Sequence, residues 1–217
     1  MNDRLDEVDE VDAPPPAPVY PIVDSAAWVT RLLPLGVRLI QLRIKQMAEA
    51  GLRREIAEAR DRCAAFEAQL VVNDYWQLAL ELECDFVHLG QQDLAGCELP
   101  ALRAGGVRLG VSTHDEAELE RALAVRPDYI ALGPIYPTLL KQMPWAPQGL
   151  ARLADWKRRI GDIPLVAIGG LTVERLAGVF AAGADAAAVV TDIVRNAQPE
   201  QRMHEWLIEA HRLTARG

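Results

Sequence analysis

Three long polar side chains, Gln41, Arg43 and Lys45, occur at every second position of the segment LIQLRIK. In a β-strand, residues at this spacing point to the same face of the sheet. One glutamine and two cations on the inward face of a strand are hard to explain by packing. They would suit a ligand with several negative charges, such as a pyrophosphate, which accepts charge-assisted hydrogen bonds.

Two carboxylates, Asp74 in VND and Asp93 in HLGQQD, also follow short apolar runs, and Lys141 adds another cation after a third run. Magnesium prefers oxygen ligands and is often held by one or two carboxylates together with substrate phosphates. Each aspartate alone could equally be a turn or helix-cap residue. At the ends of adjacent strands, the pair favours a Mg²⁺ site facing the cations.

Other side chains that could do chemistry receive simpler interpretations. His88 lies within the run FVHL and is interpreted as a core histidine with no catalytic role, whereas His114 lies at a helix start where it could touch a ligand. Trp145 either belongs to a lid or pins the loop that contains it. The three cysteines form no CxxC motif, and their odd number does not indicate a disulfide framework or a zinc site. Cys63 is predicted to be a core residue.

Short apolar runs alternate with longer amphipathic segments from Tyr20 onward. Continuous apolar character is typical of parallel strands that are covered on both faces, with a helix between successive strands. The candidate strands are YPIV, VRLIQLR, LVVN, FVHL, VRLGVS, YIAL, PLVAIGG and AAAVV.

Two local patterns predict helices between these strands. One apolar stripe has spacings of three and four and consists of Leu52, Ile56, Ala59, Cys63 and Phe66. Thr113 with Glu116 forms a capping-box pattern, which predicts that the strand VRLGVS ends there and a helix begins.

Eight strand and helix units in about 200 residues predict an α/β fold, a single-domain (β/α)8 TIM barrel. An open doubly wound sheet would also alternate strands and helices, but the strand count favours the barrel. The polar residues follow the carboxyl ends of the runs, which a barrel places on one rim. The loops IGGLT and VVTD then form a candidate phosphate site, where Gly169 and Gly170 allow close backbone approach and a helix near Thr172 supplies amide donors.

Composition limits the class of protein. The chain has 217 residues and a formal net charge of -8, which argues against a nucleic-acid surface. No apolar run reaches the ~18 residues of a membrane span, and the acidic N-terminus does not resemble a signal peptide. The sequence therefore predicts a soluble cytoplasmic protein. Residues 1–18, acidic and rich in proline, are predicted to be a disordered arm, and residues 19–217 to be the barrel domain.

The ordered motifs of the chain resemble the thiamine-phosphate synthase family, in its enterobacterial form, from about Tyr20 to Ile193. The motifs that carry the resemblance are LIQLRIK, VNDYWQLAL, VHLGQQDL, LGVSTHDEAEL, YIALGPIYPT, KQMPWAPQGL and VAIGGL. The resemblance implies an alkyl transferase that joins a pyrimidine pyrophosphate to a thiazole phosphate, carboxylated or not, giving thiamine monophosphate and pyrophosphate. Carbon dioxide is also lost when the thiazole is carboxylated. It also implies Mg²⁺ as cofactor and a dissociative mechanism.

The resemblance also assigns roles to individual residues. The metal ligands would be Asp74 and Asp93, and the catalytic cations would be Arg43, Lys45 and Lys141. The residues that would hold the pyrimidine pyrophosphate are Gln41, Arg43, Lys45, Asn73, Ser112 and Lys141. The residues that would hold the thiazole phosphate are Thr138, Leu140, Gly170, Val190 and Thr191. The family usually has a second threonine where this chain has Leu140, so the grip on this phosphate is expected to be weaker.

Two other functions are compatible with such a barrel. A thiazole tautomerase would rearrange the thiazole precursor without metal or pyrophosphate, and the retained cations and carboxylates argue against it. A non-catalytic barrel that binds thiamine precursors as a sensor is suggested only by Leu140. The expected partners are small molecules, with no nucleic acid and no membrane, and the oligomeric state, including a homo-oligomer, is left open.

Overall fold

A computed structural model describes residues 16–138 and 145–215. Eight parallel strands pair in chain order and close into a barrel, β8 pairing with β1, which confirms the predicted (β/α)8 fold. The strands are β1 (Val19–Val23), β2 (Leu39–Leu42), β3 (Gln69–Asn73), β4 (Phe86–Leu89), β5 (Arg108–Thr113), β6 (Tyr129–Leu132), β7 (Leu165–Ile168) and β8 (Ala186–Val189). Each of the predicted apolar runs overlaps one of them.

Helices cover the outside of the barrel. Within the described ranges the α-helices are α1 (Ala26–Leu32), α2 (Glu49–Ala65), α3 (Trp76–Glu81), α4 (Gln91–Ala95), α5 (Leu99–Ala104), α6 (Glu116–Ala124), α7 (Gly149–Ile160), α8 (Leu176–Ala181), α9 (Thr191–Val194) and α10 (Pro199–Thr214). Short 3₁₀ helices occupy Leu33–Leu35 and Val173–Arg175. None of the described helices combines the length and apolar character that a membrane crossing needs.

The strands separate two apolar cores, because successive side chains of a strand point to opposite faces. The larger core lies between the strands and the helices and includes Trp156 and Trp206, both almost fully buried. The smaller core fills the barrel interior. Its buried members are Tyr20, Ile22, Leu39, Val71, Phe86, Tyr129, Ala131, Val166, Ala186 and Ala188. The same alternation turns Gln41, Asn73, His88 and Ser112 inward at the carboxyl ends of their strands.

Gly110 in β5 makes room for one of these interior side chains. A Cβ atom at this position would lie 2.1 Å from Cζ of Tyr129, far inside any permitted contact. The Tyr129 ring cannot easily retreat, since it is buried and packs at an angle against Tyr20 and Phe86. Glycine is therefore required here by close approach and not by a special backbone angle.

We predict that Gly110→Ala destabilises the protein by about 1–3 kcal/mol, the usual cost of overpacking a core. Gly96→Ala is the matched control, because a Cβ there meets nothing closer than a carbonyl oxygen at 3.8 Å. Chemical denaturation of both variants gives the two free energies of unfolding. Equal stability of the variants would mean that the barrel interior can expand around Tyr129.

The capping box predicted at Thr113 and Glu116 is wrong. Thr113 is the last residue of β5, where its hydroxyl donates to the Ala131 carbonyl oxygen at 3.0 Å and accepts from Trp156 Nε1 at 3.0 Å. The cap of α6 is Asp115, whose side chain accepts from the Glu118 amide at 2.9 Å. Asp115 caps the helix instead of Thr113, because the buried Thr113 hydroxyl already has two hydrogen-bond partners in the barrel wall.

Two further local predictions need adjustment. In α2 the stripe is buried at Leu52, Ile56, Ala59 and Cys63, but Phe66 follows the last helical residue and is exposed. After Thr172 the chain forms the 3₁₀ turn, and α8 begins only at Leu176. The amide donors expected near Thr172 therefore belong to one short turn.

Residues 1–15 of the predicted N-terminal arm are outside the described part of the chain, so the disorder of the arm stays a prediction. The last residue of that segment, Pro18, is hydrogen-bonded to the barrel, because its carbonyl oxygen accepts from the Ala187 amide of β8 at 2.9 Å.

Candidate active site at the carboxyl end of the barrel

A cavity of about 110 Å³ opens at the carboxyl ends of the strands, above the interior core. Active sites of (β/α)8 barrels lie at this end. The cavity is lined by Tyr20, Ile22, Gln41, Arg43, Asn73, His88, Ser112, Tyr129, Ala131, Val166, Ile168 and Ala188. Four residues predicted from the sequence to bind substrate are thus brought together from three separate segments of the chain: Gln41, Arg43, Asn73 and Ser112.

Five lining side chains form a continuous hydrogen-bonded series, which we call the cavity network. Gln41 Nε2 donates to the Tyr20 hydroxyl at 2.9 Å, and the Tyr20 and Tyr129 hydroxyls lie 3.0 Å apart. His88 Nδ1 is 2.7 Å from the Tyr129 hydroxyl, and His88 Nε2 is 2.7 Å from Ser112 Oγ. The network ends in Gln41 on one side of the cavity and in Ser112 on the other.

Sequence reasoning missed three of these residues, Tyr20, His88 and Tyr129, as parts of the site. His88 is buried and both of its ring nitrogens have hydrogen-bond partners, in agreement with its interpretation as a core histidine. It also lines the cavity. Strand alternation is the signal that could have found them. His88 is two residues after Phe86, and Tyr129 begins a strand whose next inward residue is Ala131, so each lies on the interior face.

The cavity network is uncharged near neutral pH. Burial raises the pKa of Tyr20 and that of Tyr129 above their ordinary values. Burial also lowers the pKa of His88 to about 4, since the charged imidazolium would lose its hydration. The floor of the cavity therefore offers neutral donors and acceptors to a ligand.

Two groups at the cavity are left available for a ligand. The buried Asn73 Nδ2 has no hydrogen-bond partner among the described residues, although an unpaired buried donor costs about 1–3 kcal/mol. The guanidinium of Arg43 forms no ion pair with any carboxylate in the described part of the chain. An anionic or carbonyl-like ligand would satisfy both.

The two carboxylates predicted to bind metal lie next to each other at the cavity mouth. Asp74 pairs with the Lys45 ammonium, and Asp74 and Asp93 are close enough for their side chains to interact. Asp74 has a left-handed backbone (φ 66°), a conformation that aspartate tolerates better than most residues. Its amide donates to the His88 carbonyl oxygen at 3.0 Å, which anchors the Asp74 backbone to β4.

The electrostatics of this pair suit a cation. Burial, and next the neighbouring Asp74, raise the pKa of the Asp93 carboxyl above its ordinary value. No group of three or more potential metal-binding side chains exists within the described ranges. Two carboxylates with room for other oxygens match the way Mg²⁺ is bound, because that ion usually completes its shell with substrate phosphates and water.

The candidate phosphate loop after β7 is held against the loop after β6. The Ile135 amide donates to Ile168 O at 2.9 Å, and the Tyr136 amide donates to Gly169 O at 3.0 Å. Gly170 has φ +65°, and a Cβ there would lie 2.4 Å from the Pro137 carbonyl oxygen. Glycine is thus required at this position both by conformation and by space.

The remaining predicted substrate residues have different placements. Thr138 closes the described part of the loop after β6, and Val190 packs against the barrel interior core. Thr191 is the first residue of α9, directly after Val190. Leu140 and Lys141 lie outside the described residues, so their predicted roles stay predictions.

Trp145, where the described chain resumes, lies against the loop after β5. Its ring stacks on His114 with centroids 4.0 Å apart, and Gln148 Nε2 donates to the His114 carbonyl oxygen at 3.0 Å. His114 in turn contacts the Glu118 carboxylate through Nδ1 at 2.7 Å. Trp145 therefore pins one end of the loop, and His114 serves as its platform.

Comparisons with known proteins agree with this geometry. The family model described as thiamine monophosphate synthase matches residues 19–193. The chain is 61% identical over 190 residues to a thiamine-phosphate synthase of Rhizobium etli, covering 88% of this chain and 93% of the relative. It is 52% identical over 177 residues to a thiamine-phosphate synthase of Cronobacter sakazakii, covering 82% and 84%.

A solved structure supports the fold. The thiamine phosphate pyrophosphorylase from Pyrococcus furiosus superposes with a TM-score of 0.80 at 24% identity, covering 90% of this chain and 96% of the other. The family model extends over nearly the whole barrel, from the first residue of β1 to the helix after β8. The chain therefore belongs to the thiamine monophosphate synthase family.

Proposed function

We propose that the protein joins a pyrimidine pyrophosphate to a thiazole phosphate, releasing pyrophosphate and forming thiamine monophosphate, a step of thiamine biosynthesis. Membership of the family supports this activity. The observation that carries it is the arrangement of the cavity, with a neutral polar floor and with cations and carboxylates at its mouth. Such a cavity suits a substrate that has an uncharged ring at one end and a pyrophosphate at the other.

The pyrimidine ring would occupy the cavity floor, near Gln41 and the buried donor of Asn73. Its pyrophosphate would reach the mouth, where Arg43 and Lys45 are the described cations and Lys141 is the predicted third. Ser112, between floor and mouth, can donate its hydroxyl to the pyrophosphate. Charge-assisted hydrogen bonds of this kind are about twice as strong as neutral ones.

Asp74 and Asp93 are the residues that would hold Mg²⁺. Their proximity and the raised pKa of Asp93 support a site where a divalent cation would offset more negative charge than the Lys45 ammonium does alone. When bound, Mg²⁺ would neutralise charge on the pyrophosphate oxygens as the pyrophosphate departs. Lys45, now paired with Asp74, would be free to turn to the pyrophosphate once a metal takes its place.

The thiazole phosphate would bind between the loops after β6, β7 and β8. Gly170 and the contacts between the first two loops support this location, with Thr138, Leu140, Val190 and Thr191 as further proposed contacts. The β7 and β8 loops are a frequent phosphate site in barrels of this class. Both substrates would then meet over the cavity.

The proposed mechanism requires no protein nucleophile. The bond between the pyrimidine methylene carbon and the pyrophosphate oxygen breaks, and its electron pair leaves with pyrophosphate. The thiazole nitrogen then donates its lone pair to the methylene cation. The contribution of Arg43, Lys45 and Lys141 is fixed positive charge at the departing oxygen, and the cavity holds the two reactants together.

Turnover of purified protein with both phosphorylated substrates, with and without Mg²⁺, tests the proposal. We expect thiamine monophosphate and pyrophosphate in equal amounts, only when both substrates and the metal are present. A thiazole tautomerase would rearrange the thiazole alone, and a non-catalytic sensor would bind without product. The cations and carboxylates around the cavity favour the condensation over both alternatives.

Leu140 gives a separate prediction for the thiazole phosphate. If this position faces the phosphate, Leu140→Thr adds a hydrogen bond to a charged group, about 1.5–3 kcal/mol in good geometry. The Michaelis constant for the thiazole phosphate should then fall roughly tenfold, since ~1.4 kcal/mol is a factor of ten, while that for the pyrimidine pyrophosphate changes little. Leu139→Thr is the adjacent control. An unchanged thiazole constant would remove Leu140 from the site.

The cytoplasmic location and the homo-oligomer considered from the sequence remain predictions. Gel filtration with light scattering measures the oligomeric state directly.

A further inference from the structure

The cavity network joins the two ends of the proposed substrate site through buried side chains. Gln41 and Ser112 are its ends, and Tyr20, Tyr129 and His88 connect them with spacings of 2.7–3.0 Å. Tyr20 and Tyr129 are each 1% exposed, so solvent does not replace a missing partner. The hydrogens of the two tyrosine hydroxyls and of the His88 ring must therefore have partners inside the network.

Once one orientation of the Gln41 amide is taken, counting donors fixes the direction of every other hydrogen bond in the network. Gln41 Nε2 donates to Tyr20, so the one hydrogen of the Tyr20 hydroxyl goes to Tyr129. The Tyr129 hydrogen then goes to His88 Nδ1, which must carry none of its own. The neutral imidazole therefore bears its hydrogen on Nε2 and donates it to Ser112 Oγ. The hydrogen of Ser112 is left to point at a ligand.

One other complete assignment exists, and it reverses every bond at once. The Gln41 amide rotates by half a turn so that its oxygen accepts from Tyr20, His88 bears its hydrogen on Nδ1, and Ser112 donates to His88. Any mixture of the two assignments leaves a buried donor facing a donor or a hydroxyl without a partner, which is unfavourable. The ends are therefore correlated: when Ser112 can donate to a ligand, Gln41 offers its carbonyl oxygen.

We propose that Tyr129 and His88 are positioning residues that couple an anion at Ser112 to the orientation of the Gln41 amide, and so make the site specific for a ring bearing an amino group. Phosphate oxygens only accept, so an anion bound at Ser112 selects the assignment in which Ser112 donates. Gln41 then presents an acceptor to the ring. An amino substituent satisfies that acceptor, whereas an oxo substituent at the same place leaves two acceptors facing each other.

This inference rests on the proposed function for the nature of the two substrate ends, but its first test does not require turnover. Inorganic pyrophosphate with Mg²⁺ is added to ¹⁵N-histidine-labelled protein, and the ring nitrogens of His88 are assigned by NMR. We expect the hydrogen on Nε2 when pyrophosphate is bound. In Ser112→Ala the addition should leave the tautomer unchanged. A hydrogen on Nδ1 in the pyrophosphate complex would overturn the proposal.

Variants within the network separate its links. Tyr20→Phe removes the hydroxyl that bonds to Gln41 but leaves Tyr129, His88 and Ser112 hydrogen-bonded to one another. The NMR response of His88 to pyrophosphate should therefore persist. Tyr129→Phe removes the hydroxyl between His88 and Tyr20, so His88 should still respond to pyrophosphate through Ser112 while the Gln41 amide no longer follows. If Tyr129→Phe fails to fold, Tyr20→Phe and the wild-type spectrum still decide the question.

The second test compares substrates. The ratio of kcat/KM for the amino-bearing pyrimidine pyrophosphate to that for its oxo analogue should fall about tenfold in both Tyr→Phe variants, the size of one hydrogen bond. A purely structural role would lower both values together and keep the ratio, which would contradict the coupling. If wild-type protein shows no turnover at all, the proposed function fails, whereas the NMR result still reports on the network.

Discussion

Asp93→Asn is expected to lower turnover by about 10²–10³-fold, the usual loss when one group that stabilises developing charge is removed. Asparagine has the shape of aspartate but no charge, so the side chain keeps its place beside Asp74 while a proposed metal ligand is weakened. The Mg²⁺ concentration for half-maximal activity should rise at least about tenfold. Steady-state rates measured across a Mg²⁺ titration give both quantities.

The same substitution should not weaken the fold. It removes one of two neighbouring negative charges, so the free energy of unfolding without metal should stay equal or rise. Asp85→Asn is the control, because Asp85 is an exposed carboxylate just before β4, at the opposite end of the barrel. Full activity of Asp93→Asn in the presence of a chelator would contradict the metal assignment.

Arg43→Met is expected to lower kcat/KM for the pyrimidine pyrophosphate by about 10²–10³-fold, again the range for a single electrostatic donor. Arg43 lines the cavity, and its guanidinium has no carboxylate partner within the described residues, so its charge is available to a substrate. Methionine keeps much of the side-chain length and removes the charge. The loss should be seen for the pyrophosphate substrate, with the thiazole phosphate constant much less affected.

A cation at the other end of the barrel provides the matched control. Arg108 begins β5, bonds to Asp85 and lies over the Phe86 ring, 4.4 Å from its centroid. Arg108→Met removes an equal charge but leaves the cavity mouth intact, so it should alter stability more than kcat/KM. If both variants lose activity equally, the loss in Arg43→Met comes from the changed net charge of the protein and not from a lost contact with substrate.

The order of elements could be read from the sequence because each buried parallel strand leaves a continuous apolar run, and polar residues collect where those runs end. The grouping of Gln41, Arg43, Asn73 and Ser112 followed from that rule together with the resemblance to a family. The helix cap was mispredicted because Thr113 and Asp115 are both good capping residues by type. Only the folded barrel shows that the Thr113 hydroxyl is already hydrogen-bonded and that Asp115 is free to cap the helix.

The sequence by itself determined the fold class, the rim that carries the charged residues and the family of the chain, since these depend on local periodicity and ordered motifs. The tertiary structure decided which neutral residues complete the site. Tyr20, Tyr129 and His88 resemble ordinary core residues in sequence, and they become a hydrogen-bonded network only because barrel closure brings residues 109 positions apart within 3.0 Å. The need for glycine at position 110 was likewise decided by the tertiary structure, because only the folded barrel places the Tyr129 ring against that residue.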